Sequence, residues 1–157
     1  TLVMVDPNCR PTATPDFGRY QARMRRVIAR ADVVKGSDED FDYLALAATP
    51  EATARMLIEQ GVGAVLVTQG GDAARGFCVG GEVSVPVPSV QVVDTVGAGD
   101  TFGGSFLGYW LEHGFGRQEL DDADLLEAAV TFAARAAAIN CTRAGAEPPT
   151  RAEMDLE

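Results

Sequence analysis

Two short runs, Leu2-Val3-Met4-Val5 and Ala64-Val65-Leu66-Val67-Thr68, are apolar without period-two alternation, and Val33-Val34-Lys35 reads as a further short strand. Strands of that kind are buried on both faces, which calls for a mostly parallel sheet covered by helices on each side. Helical segments fill the intervals. Residues 16–30 place Phe17, Tyr20, Met24, Val27 and Ile28 on one face, opposite Arg19, Arg23, Arg25, Arg26 and Arg30. Ser37 with Asp40 three residues on reads as a capping box opening a helix. A further helix starts near Pro50 and stops at Gly61. Gly70-Gly71-Asp72 makes a turn, and 77–79 with 83–85 form a hairpin around Gly80-Gly81. Pro86 and Pro88 confine the next segment to an edge or loop. One helix then ends at His113, and another runs from Asp121-Asp122 to about Asn140, with Leu125, Ala129, Ala133, Ala136 and Ala137 facing inward. A short helix comes after Pro148-Pro149. The expected class is α/β, a single domain's worth of chain at 157 residues.

Composition removes several functions. Acids outnumber bases 23 to 13, against the basic stripe of a nucleic-acid binder. No run approaches the ~18 apolar residues of a membrane span, and no secretory signal opens the chain. Cys9, Cys78 and Cys141 are few, distant and odd in number, which suits a reducing cytoplasm and neither a disulfide framework nor a zinc site. The run at Leu2 reads as a buried strand with no lead-in, as expected of a fragment or cleavage product.

Chemistry concentrates at residues 94–104. Gly97 and Gly99 free the backbone of a turn feeding a helix, so the amides of Gly97, Ala98 and Gly99 would sit at a helix N-terminus, a ready anion site. Gly103, Gly104 and Gly108 inside the helix each cost about 1 kcal/mol against Ala and call for close approach of a backbone or ligand. Phe102, Phe106, Tyr109 and Trp110 read as core contacts. Asp100 would repel a passively bound phosphate. It makes sense facing an acceptor hydroxyl, whose proton it would take as that hydroxyl attacks a phosphoryl group; a plain helix-start acid is the other reading. No Lys comes after these glycines as a Walker loop requires, and Phe102 stands where a dinucleotide fingerprint needs Gly or Ala.

Asp94-Thr95-Val96-Gly97-Ala98-Gly99-Asp100-Thr101-Phe102, with Gly104 and Phe106-Leu107, resembles the C-terminal signature of the PfkB/ribokinase family of carbohydrate kinases. Val5-Asp6-Pro7-Asn8-Cys9-Arg10-Pro11 is similar to a segment of its fructokinase and 2-keto-3-deoxygluconate kinase branch. Val34-Lys35-Gly36-Ser37-Asp38-Glu39-Asp40 resembles the segment near nucleotide and Mg²⁺, Val67-Thr68-Gln69-Gly70-Gly71-Asp72 the strand and turn along ATP, and Thr142-Arg143-Ala144-Gly145-Ala146 the C-terminal loop.

The resemblance implies a ribokinase-like fold, of which residues 1–157 are the C-terminal, ATP-binding half, the N-terminal sugar-binding and lid half being absent. It implies ATP-dependent phosphorylation of a sugar hydroxyl, with Mg²⁺ on the nucleotide and little turnover by this half alone. Asp100 would be the catalytic base, and Gly97, Ala98 and Gly99 the anion hole. Ser37, Thr68, Gly70, Asp72, Gly99 and Ala134 would line ATP; Ala134 stands where several relatives have Asn or His. Members often have Gly where this chain has Ala73. Ser37 and Asp40 stand where ribokinase-like members have the Asn and Glu of an Asn-x-x-Glu motif, and Asp40, with its shorter reach, would meet Mg²⁺ through water; a capping role for both stays open. Arg10 would reach an acidic substrate end or hold its own loop. Asp94, Val96, Asn140, Arg143 and Gly145 match a K⁺ loop of some members. A homodimer through the lid is implied by the same resemblance. The other functions kept open are a non-catalytic nucleotide-binding module and a nucleoside kinase on the same fold.

Overall fold

The computed structural model describes residues 1–155; the last two residues of the expected 1–157 block lie outside the described residues. Strands β1 (Met4–Val5), β2 (Val33–Ser37), β3 (Ala64–Thr68), β4 (Ala73–Cys78) and β5 (Gly81–Pro86) form one sheet in that order. The first three are parallel, with Val33 opposite both Met4 and Ala64. β4 runs antiparallel to β3 and to β5. Only β4 therefore opposes the other four directions, and the sheet is mixed but mostly of one sense. Pro86 ends β5 at the sheet edge, where its missing N–H costs no ladder bond.

Helix α1 (Phe17–Ile28) connects β1 to β2, and α2 (Asp38–Leu44) and α3 (Pro50–Glu59) connect β2 to β3. These three cover one face of the sheet, packing Ile28, Phe41, Leu44, Ala54 and Leu57 on Val34, Val65, Val67 and Phe77. Helices α4 (Ala98–Glu112) and α5 (Ala123–Cys141) cover the other, where Phe102, Phe106, Trp110, Leu126 and Val130 meet Val33, Leu66, Ala74 and Val85. Consecutive residues Val33 and Val34 thus serve opposite cores, and both are fully buried. That is why these runs do not alternate. Trp110, also fully buried, stacks on Phe106 and donates its indole N–H to Gly116 O at 2.9 Å. A short α6 (Arg151–Met154) closes the described chain.

Several expectations need correction. Val27 is exposed, so the inner stripe of α1 rests on Met24 and Ile28. On α5 the fully buried leucine is Leu126; Leu125 is only partly covered. β2 continues to Ser37, and the hairpin strands extend to Ala73 and Gly81. Of the three helix glycines, only Gly103 meets a close neighbour: a Cβ there would lie 2.9 Å from Met4 Cε. Gly104 and Gly108 face open space. Among the described residues no helix is long and apolar enough to cross a membrane, and the three cysteines are free thiols.

Candidate active site

Parallel strands deliver their following loops to one end of a sheet, where α/β folds build crevices. The loop after β1, the start of α2 after β2, the turn after β3 and the first turn of α4 all line a cavity of about 690 Å³. Arg10, Ser37, Asp40, Thr68, Gly70, Ala98, Gly99 and Ala134 are in its wall. Asp72 belongs to the same turn as Gly70, where its amide donates to Gln69 O at 3.0 Å, but it is not in the wall. Ala73 is accommodated as the first residue of β4, its carbonyl accepting from the Gln69 amide at 3.0 Å.

The start of α4 differs from its counterparts in how its amides are used. Asp16, Ser37, Thr49, Asp122 and Thr150 each cap a helix with a side chain. Gly97, the residue before α4, supplies no such bond. It is in the left-handed region, with φ of +77°, and a Cβ there would lie 2.5 Å from Ala146 Cβ. Only glycine fits this turn. Of the three expected anion-hole amides, that of Ala98 donates to Thr95 O at 3.2 Å within the turn. Gly99 is in the cavity wall, and Asp100 comes next on the first helical turn, exposed.

Asp40 is buried and fully used as a fastener. Its Oδ1 accepts from the Cys9 amide at 2.6 Å, and its Oδ2 from the Ser37 amide at 3.0 Å and the Ser37 hydroxyl at 2.8 Å. Burial alone would raise this carboxyl, but those hydrogen bonds and nearby Lys35 outweigh it and hold it below the usual carboxylate range. The capping box is present, and it also pins the β1 loop that carries Arg10. Arg10 itself donates to Cys9 O at 2.9 Å, a contact within its loop. Burial pushes the Cys9 thiol up, away from reactivity.

Asp94, Val96, Asn140, Arg143 and Gly145 come together behind the α4 turn. Asp94 accepts from the Val96 amide at 3.0 Å and the Gly145 amide at 2.8 Å, which hold its carboxyl below the ordinary value. Asn140 is fully buried; its Nδ2 donates to Val96 O at 2.9 Å, while its Oδ1 has no partner. The Arg143 amide donates to Asn140 O, and its guanidinium pairs with Glu153 of α6.

Lys35 is the residue that motif reading passes over: it lies inside a matched segment, yet the sequence alone assigns it no role. It is 5% exposed on β2, lines the cavity, and pairs with Asp6 at 2.6 Å. The signal in the sequence is a lysine interrupting an otherwise apolar, doubly buried strand.

A mostly parallel open sheet flanked by helices, with its crevice at the strand ends, is a ribokinase-like α/β fold. The family described as pfkB family carbohydrate kinase matches residues 2–153, and the chain belongs to it. It is 41% identical over 106 residues to a fructokinase of Rhizobium leguminosarum bv. trifolii, covering 68% of this chain and 32% of that one. A fructokinase-1 of Oryza sativa subsp. japonica is 29% identical over 156 residues, covering 99% of this chain and 47% of that protein. The chain thus spans about half or less of the length of these curated relatives. The crystal structure of a Vibrio cholerae O395 fructokinase double mutant, in a fructose-, ADP- and potassium-bound form, superposes with a TM-score of 0.83 at 27% identity, covering 98% of this chain and 49% of that one.

Proposed function

We propose that this chain is the nucleotide- and phosphoryl-handling part of an ATP-dependent sugar kinase of fructokinase type. The observation that carries the reading is the start of α4: uncapped amides, a glycine turn that admits no side chain, a buried lysine alongside and an exposed carboxylate at Asp100. ATP would lie along Thr68, Gly70 and Ala134, with its phosphates at the Gly97-Ala98-Gly99 turn. Asp72, just outside the wall, would keep the turn after β3 closed. Charge developing on the transferred phosphoryl group would be met by the helix amides. Asp100 would accept the proton of the sugar hydroxyl as its oxygen attacks phosphorus and the bond to the leaving ADP oxygen breaks. Arg10, in the cavity wall, would meet the substrate's far end.

Mg²⁺ would offset the phosphate charge when bound. The ion would be carried by the nucleotide phosphates, and Asp40, in the cavity wall, would meet it through water. The orphaned, buried Asn140 Oδ1 fits a monovalent cation, and Asp94, Asn140 and the carbonyls of Val96, Arg143 and Gly145 would hold K⁺ there.

Sugar contacts would come from segments that the longer relatives possess. The 157 residues alone should bind ATP·Mg²⁺ but turn over little or no sugar. The test is phosphorylation of fructose, other sugars and nucleosides, by this chain alone and by a chimera joining it to the N-terminal half of the Rhizobium fructokinase. Turnover by the chimera only supports the proposal; no turnover by either, with ATP bound, favours a non-catalytic nucleotide module. A nucleoside preference is the second enzymatic reading. It is favoured by a TM-score of 0.83 to the aminoimidazole riboside kinase of Salmonella enterica, at 27% identity, covering 98% of this chain and 50% of that one.

A further inference from the structure

Helix α1 carries arginines that its own molecule leaves unmatched. Arg55, Arg75, Arg117, Arg143 and Arg151 each reach a carboxylate. Among the described residues, none of Arg19, Arg23, Arg25, Arg26 and Arg30 does, although the chain holds 23 acids. All five are exposed. The one acid of residues 16–30, Asp16, is engaged at the start of the helix, where it accepts from the Arg19 amide at 2.9 Å.

Arg19, Arg23, Arg26 and Arg30 succeed one another at intervals of four, three and four residues, so they form a stripe along the outer face of α1 and the turn after it. Like charges at that spacing repel. The helix dipole suits Arg25 and Arg26 in the last turn but opposes Arg19 in the first. The stripe gains nothing for the fold and becomes favourable when an anionic surface covers it.

The complement is on the same chain. Residues 112–127 hold six acids and one arginine, and that arginine, Arg117, is paired with Asp32. Asp124 and Glu127 are exposed on α5 with no ion pair among the described residues. With Tyr109 and Phe132 they line a groove of about 600 Å³, in which Arg135 is the one base among the described residues. Its aromatic wall suits guanidinium groups: Arg151 lies over Phe132, 5.3 Å from the ring centre. The core of α1 is on one face of the sheet and that of α5 on the other, so the stripe and groove of one molecule face apart.

We propose that the α1 stripe docks a second copy of this chain, whose α5 groove receives the arginines. A second copy matches both unpaired sets in one kind of contact, whereas an unrelated polyanion would leave Asp124 and Glu127 as they are. The contact is heterologous, so copies add head to tail into rows or rings. It is separate from the cavity at the strand ends and holds whatever that cavity binds.

The experiment is sedimentation equilibrium of the 157-residue chain at about 10 mM and about 1 M salt, where charges are screened over about 30 Å and 3 Å. The average mass should rise with protein concentration at low salt and return to the monomer at high salt. Arg23→Glu/Arg26→Glu and Asp124→Lys/Glu127→Lys should each be monomeric alone, and a mixture of the two should associate at least tenfold more tightly than either. Arg23→Lys/Arg26→Lys should stay within a few-fold of the parent. Circular dichroism checks that each variant is folded. Should the lysines unfold the start of α5, Asp124→Asn/Glu127→Gln should lose association in their place. Association that survives both reversals, or that strengthens with salt, is apolar in origin and overturns the proposal. A parent that is monomeric at low salt also overturns it; sedimentation of that parent with phosphatidylserine vesicles, lost in Arg23→Glu/Arg26→Glu, would then assign the stripe to an anionic membrane surface instead.

Discussion

The Asn140 side-chain amide donates to Val96 O at 2.9 Å, joining the end of α5 to the loop that enters α4. The oxygen of the same amide is buried without a partner, an unfavourable state that a cation would relieve. K⁺ should therefore raise the melting temperature of the chain relative to tetramethylammonium at equal ionic strength. At ten times the dissociation constant the gain is about 1.4 kcal/mol. Asn140→Leu should abolish the K⁺ response and lower stability by about 1–3 kcal/mol through the stranded Val96 carbonyl. Equal melting curves in the two salts would count against the site.

Gly97 and Gly99 stand two residues apart and should respond oppositely to one methyl group. At Gly97 the backbone has φ of +77° and the new Cβ would sit 3.0 Å from the Ala146 Cα, so both strain and backbone collision oppose it. Gly97→Ala should cost about 2 kcal/mol or more. At Gly99 the nearest atom is the movable head of Lys35. Gly99→Ala should leave the melting temperature nearly unchanged and weaken tripolyphosphate at least tenfold. Calorimetric melting and titration of both variants separate the two effects; a Gly99→Ala chain that binds normally would remove Gly99 from the anion site.

Much of the fold is legible in the sequence because two-sided burial leaves a mark: Val33, Val34 and Val65 to Val67 read as strands from their lack of alternation. The inward leucine of α5 is Leu126 and not Leu125, because an alanine-rich helix is apolar almost all round and periodicity then selects no face. β4 begins Ala-Ala-Arg-Gly, with little β preference. Pairing with β3 and β5 sets its length, and Arg75, which bridges Glu51 and Glu82, belongs to the strand rather than a turn. The glycine turn is visible since only glycine permits it. The pairing of Lys35 with Asp6 is invisible in the sequence because the two are 29 residues apart and meet only through the parallel register of β1 and β2.

Asp100 is exposed on the first turn of α4, one residue beyond the cavity-wall glycine Gly99. A base of this kind contributes about 10² or more to turnover. In the chimera with the Rhizobium N-terminal half, Asp100→Asn should lower kcat at least a hundredfold. The KM for ATP should stay within a few-fold, because the α4 amides remain. A loss of less than tenfold in kcat would take the base role from Asp100.

Asp40 ties three groups together, and its ionised form is what they bind. Its folded carboxyl lies below the usual range: hydrogen bonds to the carboxylate outweigh the burial that alone would raise it. A lowered folded value means the ionised group stabilises the fold above its unfolded value of about 3.9, and that contribution is lost as pH falls through the folded value. Asp40→Asn keeps the shape but turns an amide toward donors, so it should cost about 1–3 kcal/mol at neutral pH. The gap between parent and variant should be constant from pH 7 to about 5 and shrink below about 4. Urea denaturation of both proteins across that range checks it. A gap that persists unchanged at pH 3 would show that Asp40 acts through shape alone, and that the β1 loop is held by packing rather than by this carboxylate.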